Sequence, residues 1–304
     1  MNEYILKGTD LSGQQVRQVM LGQIDNVLDL INNSEAGFDE TIHSIRKSIK
    51  RIRATLRMIR FPLGEKIYNQ ENLFLRDINR TISALRDSKV NIEVFQKLTG
   101  HLSGKEEKSV DVVNKLLADE YQQLKEQFDD NNKGKEQLRS LLNEARRRLA
   151  LPELDNIRKG SVMRGIRKTY RRGKKSLTIA GHDLSDHNLH ELRKQVKHLW
   201  YQVQLIRFLW DPYFTSLEKS IENISNSLGE DHDLTELKLK LTASDIRDNV
   251  SREFTDNLLN LIEEKQQAIR KDIWPEVKRI YAEAPLIFIR RINSYRKINR
   301  KTVS

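Results

Sequence analysis

Two stripes at helical spacing run along the stretch His43-Ser-Ile-Arg-Lys-Ser-Ile-Lys-Arg-Ile-Arg-Ala-Thr-Leu-Arg-Met-Ile-Arg60. The apolar stripe recurs at alternating steps of three and four, as Ile42, Ile45, Ile49, Ile52, Leu56 and Ile59. The cationic stripe follows one residue later, as His43, Arg46, Lys50, Arg53, Arg57 and Arg60. The stripes lie about 100° apart around the helix axis. Like charges four residues apart repel, and no acid occurs between Glu40 and Glu65, so we expect an outside anion to neutralise the row.

The composition bounds the class of protein and of partner. The chain has 304 residues, of which 32% are charged and 38% hydrophobic, with a net charge of +11 and a pI of about 9.6. This charge favours polyanionic partners: nucleic acid, polyphosphate or an anionic surface. The chain has no cysteine, which excludes disulfides, thiolate metal sites and cysteine nucleophiles and fits a reducing cytoplasm. No signal peptide and no run of about 18 apolar residues occurs, so we expect a cytoplasmic protein without membrane insertion.

Helical periodicity continues along the chain without strand-like alternation, which predicts an all-α fold. The predicted helices cover residues 12–31, 40–60, 65–87, 89–98, 106–130, 135–150, 155–180, 187–210, 213–228, 232–241, 250–283 and 286–299.

A second copy of the opening pattern follows later in the chain. Residues 190–206 align with residues 43–59, which places His190 on His43. The other matched bases are Arg193 with Arg46, Lys194 with Lys47, and Lys197 with Lys50. Asp233 matches Asp87 at nearly the same offset. We therefore predict two related halves, 10–150 and 151–304, each with a histidine-led basic helix followed by a helix that ends in an acid.

A third basic element lies between the two repeats, at residues 158–175. It holds nine bases and no acid, and one broad helical face carries Arg164, Arg167, Lys168, Arg171, Arg172 and Lys175. We expect this face beside both repeated helices; the alternative is a solvated linker helix. A further run, Arg290 to Lys301, is interpreted as a frayed solubilising tail, at least over the last five residues of the chain.

These three elements resemble the CHAD family, the conserved-histidine α-helical domain, over residues 10–304 as a single domain. The resemblance implies two pseudo-symmetric antiparallel bundles, of about four helices each plus extra helices, around a basic central groove or pore. It also implies binding of inorganic polyphosphate, often at polyphosphate granules. One departure is Trp200, which stands where the family pattern has a base and Arg53 stands in the first repeat. We expect that Trp200 either weakens the binding of the polyanion by the second repeat or serves in packing.

The residues themselves favour the same chemistry. A helix with a base every three or four residues spaces its charges about 4.5–6 Å apart, which suits a regular phosphate chain. Arginine forks bind pairs of phosphate oxygens, and lysine acts as a point charge. We expect His43 and His190 to contact phosphate or to order the site. Asp87 and Asp233 are expected to hold neighbouring bases in place, with exposed helix ends as the alternative.

Catalysis is not expected. No phosphate-binding loop of the Gly-x-x-x-x-Gly-Lys type occurs, the acids are scattered, and neither histidine of the repeat has a metal-binding partner four residues on. We therefore predict no metal, no cofactor and a binding function. The rival hypotheses are a helical nucleic-acid-binding protein that uses the same stripes and a protein-interaction scaffold. The stripe at 40–60 lacks the aromatic residues typical of single-strand binding.

Overall fold

The computed structural model describes residues 4–6, 11–32, 37–100, 106–129, 133–157 and 159–301. Every regular element in these ranges is helical, which confirms the all-α prediction. The limits predicted for the domain, residues 10 and 304, lie outside the described residues, as does Arg158 at the start of the central basic element. The described helices are α1 Gly13–Asn32, α2 Phe38–Met58, α3 Arg60–Leu63, α4 Glu65–Thr81, α5 Ser83–Thr99, α6 Glu107–Asp129, α7 Lys133–Leu149, α8 Lys159–His182, α9 Asp186–Leu205, α10 Asp211–Leu241, α11 Ser244–Arg247, α12 Arg252–Ile280 and α13 Pro285–Lys301, with short 3₁₀ turns at Pro152–Asn156 and Arg207–Leu209.

Two clusters of buried side chains hold the helices together. The larger contains the whole apolar stripe of α2 and the matching apolar face of α9. The smaller joins Phe95, Leu98, Val113 and Leu117 to residues of α10, α11 and α12. Both clusters draw on residues from each side of position 150. The pseudo-symmetry of two bundles stays a prediction.

The two repeated helices pack directly against each other. Gln202 of α9 is buried, and its side-chain amide donates a hydrogen bond of 3.1 Å to the carbonyl of Ala54 on α2. The central basic helix α8 also lies close to α2. A Cβ atom built on Gly165 would stand 1.7 Å from the carbonyl oxygen of Met58, so only glycine allows this approach.

The helix predicted at 65–87 is wrong in its C-terminal limit. α4 ends at Thr81, Ile82 leaves the helical conformation with φ −115° and ψ 6°, and α5 begins at Ser83. The hydroxyl groups of Thr81 and Ser83 donate to the carbonyls of Ile78 and Asn79, at 2.8 and 2.9 Å. Side-chain bonds of this kind compete with the helical ladder and bend the chain. Asp87 therefore lies inside α5 and does not end a helix.

The separate helices predicted at 213–228 and 232–241 are one helix, α10. The buried residues Leu228, Leu234, Leu237 and Leu241 continue one apolar face across Gly229 and Glu230. A glycine inside a helix costs about 1 kcal/mol relative to alanine, which the burial of several leucines exceeds. Asp233 is consequently also inside a helix.

None of the described helices combines the length and the apolar character that crossing a membrane requires.

Candidate functional site

The cationic stripes of α2 and α9 meet at a set of charged residues, most of them partly buried, that we call the central cluster. It consists of Arg46, Lys50, Asp87, Arg193, Lys197 and Asp233. The pairing of their apolar stripes in the core fixes α2 and α9 side by side, and this brings the two adjoining stripes together. Asp87 lies on α5, later in the first half of the chain than α2, and Asp233 lies on α10, after α9.

Arg46 makes the best-defined contact in the central cluster. One of its terminal nitrogens donates to Asp87 at 3.1 Å, and its side chain is 12% exposed, whereas that of Asp87 is 56% exposed. The charge of Asp233 also acts on Arg46, and both acids act on Arg193. Each repeated arginine is therefore within electrostatic reach of the acid of its own half and of the other half.

Lys50 and Lys197 form no ion pair or hydrogen bond with any described residue. Burial lowers the pKa of Lys50 to about 8, and the charges of Arg46 and Arg193 act in the same direction. Burial lowers the pKa of Lys197 to about 6, aided by Arg193 and Lys50. Burial is therefore the main reason that the charged forms of both lysines are unfavourable, and the neighbouring bases add to it.

Several nitrogens along the stripes are buried without a hydrogen-bond partner among the described residues. They are Arg46 Nη1, Arg57 Nε, His190 Nδ1 and Arg193 Nε. Buried polar groups are normally paired, so the three arginine nitrogens have donor capacity left for an acceptor.

The histidines lie at the edge of the central cluster. The rings of His190 and His232 are 4.6 Å apart, and burial, with Arg193 next in effect, lowers the pKa of His232 to about 3. His232 is therefore neutral near pH 7, and its 3.8 Å approach to Glu236 is not an ion pair. Burial also lowers the pKa of His190. The residue surface of His43 is largely exposed, but partial desolvation of its ring, followed by the charge of Arg86, lowers its pKa in the same direction.

The pKa of Asp233 shifts upward, whereas the pKa values of the neighbouring lysines and histidines shift downward. Burial raises the pKa of its carboxyl group, while the charges of Arg193 and Lys197 pull it down. Desolvation therefore outweighs the attraction of the nearby bases.

A second group of bases lies beyond the central cluster, at the C-terminal end of α2. A pocket of about 200 Å³, which we call the end pocket, is lined by Arg57, Arg60, Phe61, Glu65, Arg164, Gly165, Arg167, Lys168 and Arg171. Arg60 binds Glu65 at 2.8 and 2.9 Å, so the remaining bases of the pocket carry its net positive charge. Arg164 stacks over the ring of Phe61 at 3.5 Å.

The other predicted binding residues lie outside both the central cluster and the end pocket. Arg53 lies between the central cluster and the end pocket and donates to Asn72 at 3.0 Å. Arg172 is half-buried, and its charge acts on Arg57. Lys194 pairs with Glu191. Lys47 and Lys175 are exposed, and neither lines the end pocket.

Trp200 packs in the core. Its side chain is 8% exposed, belongs to the larger core and stacks on the ring of Tyr201, with centroids 4.9 Å apart. The second stripe therefore has no base at the position that Arg53 holds in the first.

Three further residues near the stripes were not among the predicted site residues. Arg86 acts on His43 and Asp233, His232 touches His190, and His198 lies near Arg53 and Arg57. Arg86 and His232 precede the two matched acids directly, so the repeat contained the signal that locates both. Within the described ranges, no three or more histidine, aspartate or glutamate side chains group together where they could hold a metal ion.

A model of the CHAD domain matches residues 21–241, more than half of the chain. The chain belongs to the CHAD-domain family. This confirms the resemblance and relates the chain in general terms to polyphosphate. The fold is similar to that of a crystal structure of the CHAD domain from the plant Ricinus communis. The TM-score is 0.61 at 14% identity, and the alignment covers 92% of this chain and 95% of that one. No curated protein matches the chain.

Proposed function

We propose that this CHAD-domain protein binds inorganic polyphosphate through the central cluster and the end pocket, and that it does so without catalysis. One observation carries the proposal. Lys50 and Lys197 come from different repeats, are partly buried in one cluster, and lack any ion-pair partner among the described residues. Crowded bases with depressed pKa values are unfavourable without an anion, and a polyanion in contact with both stripes removes that cost.

The spacing of the bases supports a linear phosphate chain over other anions. Lys50 and Arg57 are two helical turns apart, about 10 Å along α2, and a continuous row of bases joins the central cluster to the end pocket. Each phosphoryl unit brings oxygens and negative charge but no base edges. The site in turn offers guanidinium forks and ammonium groups, the usual partners of phosphate oxygens.

Asp87 and Asp233 fit an ordering role in this proposal. Asp87 accepts a hydrogen bond from Arg46, and the charge of Asp233 acts on Arg193, Lys197 and Lys50. A carboxylate that is surrounded by bases positions them for the ligand. We further propose that the protein acts in the cytoplasm, at polyphosphate granules.

Competition binding at fixed salt tests the nature of the ligand. Long-chain polyphosphate is compared with single-stranded and double-stranded DNA of equal total charge, since any polyanion gains from counterion release. The proposal expects polyphosphate to displace DNA at the lower concentration. If DNA binds as tightly, the protein is a nucleic-acid binder that uses the same stripes.

Charge reversal at the site is the matching test of location. Arg46→Glu with Lys50→Glu is expected to weaken polyphosphate binding by orders of magnitude while circular dichroism keeps the helical signal. The control is Lys108→Glu with Lys115→Glu, which reverses the same number of charges at exposed positions of α6. Equal losses in both double variants would mean that net charge alone drives binding.

A further inference from the structure

A second basic surface lies beside the end pocket and shares Arg164 and Arg167 of α8 with it. It is a groove between α8 and α13, with a volume of about 770 Å³, and we call it the α8–α13 groove. It is lined by Gly160, Met163, Arg164, Arg167, Ile289, Arg290, Asn293, Ser294, Arg296 and Lys297. None of these described lining residues is acidic and five are basic, so the groove has a positive electrostatic potential that attracts anions.

The walls of the α8–α13 groove are fixed by buried contacts. Tyr170 of α8 stacks on Phe288 of α13 with ring centroids 4.2 Å apart and an interplanar angle of 13°. The Tyr170 hydroxyl donates to the carbonyl of Ile280 at 2.9 Å, and both rings are almost fully buried. Ile289 and Ile292 of α13 are buried as well. The bases of α13 are therefore held on a packed helix and not on a loose tail.

The bases of the groove are presented at helical spacing on both walls. Arg290 and Lys297 are seven residues apart, which places them on one face of α13 about 10 Å apart. Both side chains are exposed, and no described residue forms an ion pair with either. On the facing wall, Arg164 and Arg167 also line the end pocket. These two arginines connect the groove with the end pocket into one basic track across α8.

We propose that the α8–α13 groove is a second phosphate-chain site, which a polyphosphate enters after it has filled the central cluster and the end pocket. The inference rests on the proposed function and extends it to chain length. A chain long enough to cross α8 gains the contacts of Arg290 and Lys297, whereas a short chain does not. These two residues lie outside residues 21–241, so the family match assigns them no role.

Chain-length dependence separates this groove from the central cluster. Arg290→Glu with Lys297→Glu is titrated calorimetrically at fixed salt, with tripolyphosphate and with long-chain polyphosphate. The expected loss of affinity is about tenfold or more for the long chain, because two charge-assisted contacts become repulsive. Tripolyphosphate, which is shorter than the central cluster and end pocket combined, is expected to bind within about twofold of the unmodified protein.

The matched control is again Lys108→Glu with Lys115→Glu, a pair with the same seven-residue spacing on α6. If the α13 variant loses no more long-chain affinity than this control, the second site does not exist, although the central cluster can still bind. If Arg46→Glu with Lys50→Glu leaves both ligands bound, the proposed function itself fails.

A variant with neutral residues distinguishes a loss of binding from a loss of folding. Arg290→Gln with Lys297→Gln is expected to keep the thermal transition of the unmodified protein, since both residues are exposed. The slope of log affinity against log salt for the long chain should fall by about 0.7 for each lost contact. An unchanged slope overturns the proposal.

Discussion

Arg46 on α2 donates a 3.1 Å hydrogen bond to Asp87 on α5, across the side of the molecule where the two cationic stripes meet. The arginine is largely buried and the acid is more than half exposed. One side of the Asp87 carboxylate therefore contacts Arg46, and the rest of it is open to solvent. This contact holds the Arg46 side chain in one position, which is the ordering role proposed for Asp87.

Asp87→Asn is expected to weaken polyphosphate binding several-fold, because the ordering of Arg46 outweighs the loss of one exposed negative charge. The stability change should stay below about 1 kcal/mol, as for other half-exposed ion pairs. Calorimetric titration and urea unfolding measure the two quantities. Tighter binding by Asp87→Asn would show that the acid acts as a competing anion.

Binding is expected to take up protons. Lys197 has a pKa of about 6 and Lys50 of about 8 in the absence of a ligand, and contact with phosphate raises both values. The complex then holds more protons than the separate partners, so affinity rises as the pH falls from about 9 to about 6. At pH 7 the uptake should be about one proton, mainly on Lys197.

Titration in buffers of different ionisation enthalpy measures this uptake. Lys197→Met is the internal control, because it should remove most of the uptake at pH 7. Affinity that does not vary with pH between 6 and 9 would contradict the electrostatic account of the central cluster.

Lys197→Met is also expected to stabilise the protein without ligand. The unfolded chain protonates this lysine at pH 7, whereas the folded state, with a pKa of about 6, does not. The unfolded state therefore binds more protons, and stability is lost as the pH falls through the window from about 10 to about 6. Removal of the amine should raise the free energy of unfolding at pH 7 by about 1–2 kcal/mol.

Urea unfolding at pH 7 and pH 9 checks this stabilisation, which should be smaller at pH 9. Lys108→Met, at an exposed position, should show no comparable gain. A destabilised Lys197→Met variant would indicate that the lysine contributes packing that outweighs its desolvation.

Gly165→Ala is expected to destabilise the fold by about 2 kcal/mol or more, because the added methyl group would meet the Met58 carbonyl. Gly160→Ala on the same helix has open space around the new Cβ and should be neutral or slightly stabilising. Thermal unfolding of the two variants compares them directly. Equal transition temperatures would contradict the close packing of α2 and α8.

The sequence was most informative where one local pattern sets both burial and charge. On α2 and α9 the apolar period fixes which face is buried, and the cations beside it follow from helical geometry alone. The repeat then predicted that Arg46 and Arg193 lie in related positions, and the structure brings both within reach of the same two acids.

The errors arose where tertiary contacts or side-chain bonds override local signals. Bonds from Thr81 and Ser83 to the backbone place the break at Ile82, which no period reveals. Burial of leucines carries α10 through Gly229. The frayed tail predicted for the end of the chain is a helix as far as Lys301, and residues 302–304 lie outside the described part. The stack of Tyr170 on Phe288 holds this helix in place. Because the two residues are far apart in sequence, no local pattern predicts the contact.

The central claim is that Lys50 and Lys197 together bind the phosphate chain. Its most direct test is the affinity of Lys50→Gln with Lys197→Gln for long-chain polyphosphate, measured calorimetrically at fixed salt and pH 6.5, beside Lys108→Gln with Lys115→Gln. The account predicts a loss of about 100-fold or more for the first pair, from two charge-assisted contacts, and less than about threefold for the second. Equal affinity of the two double variants would contradict it.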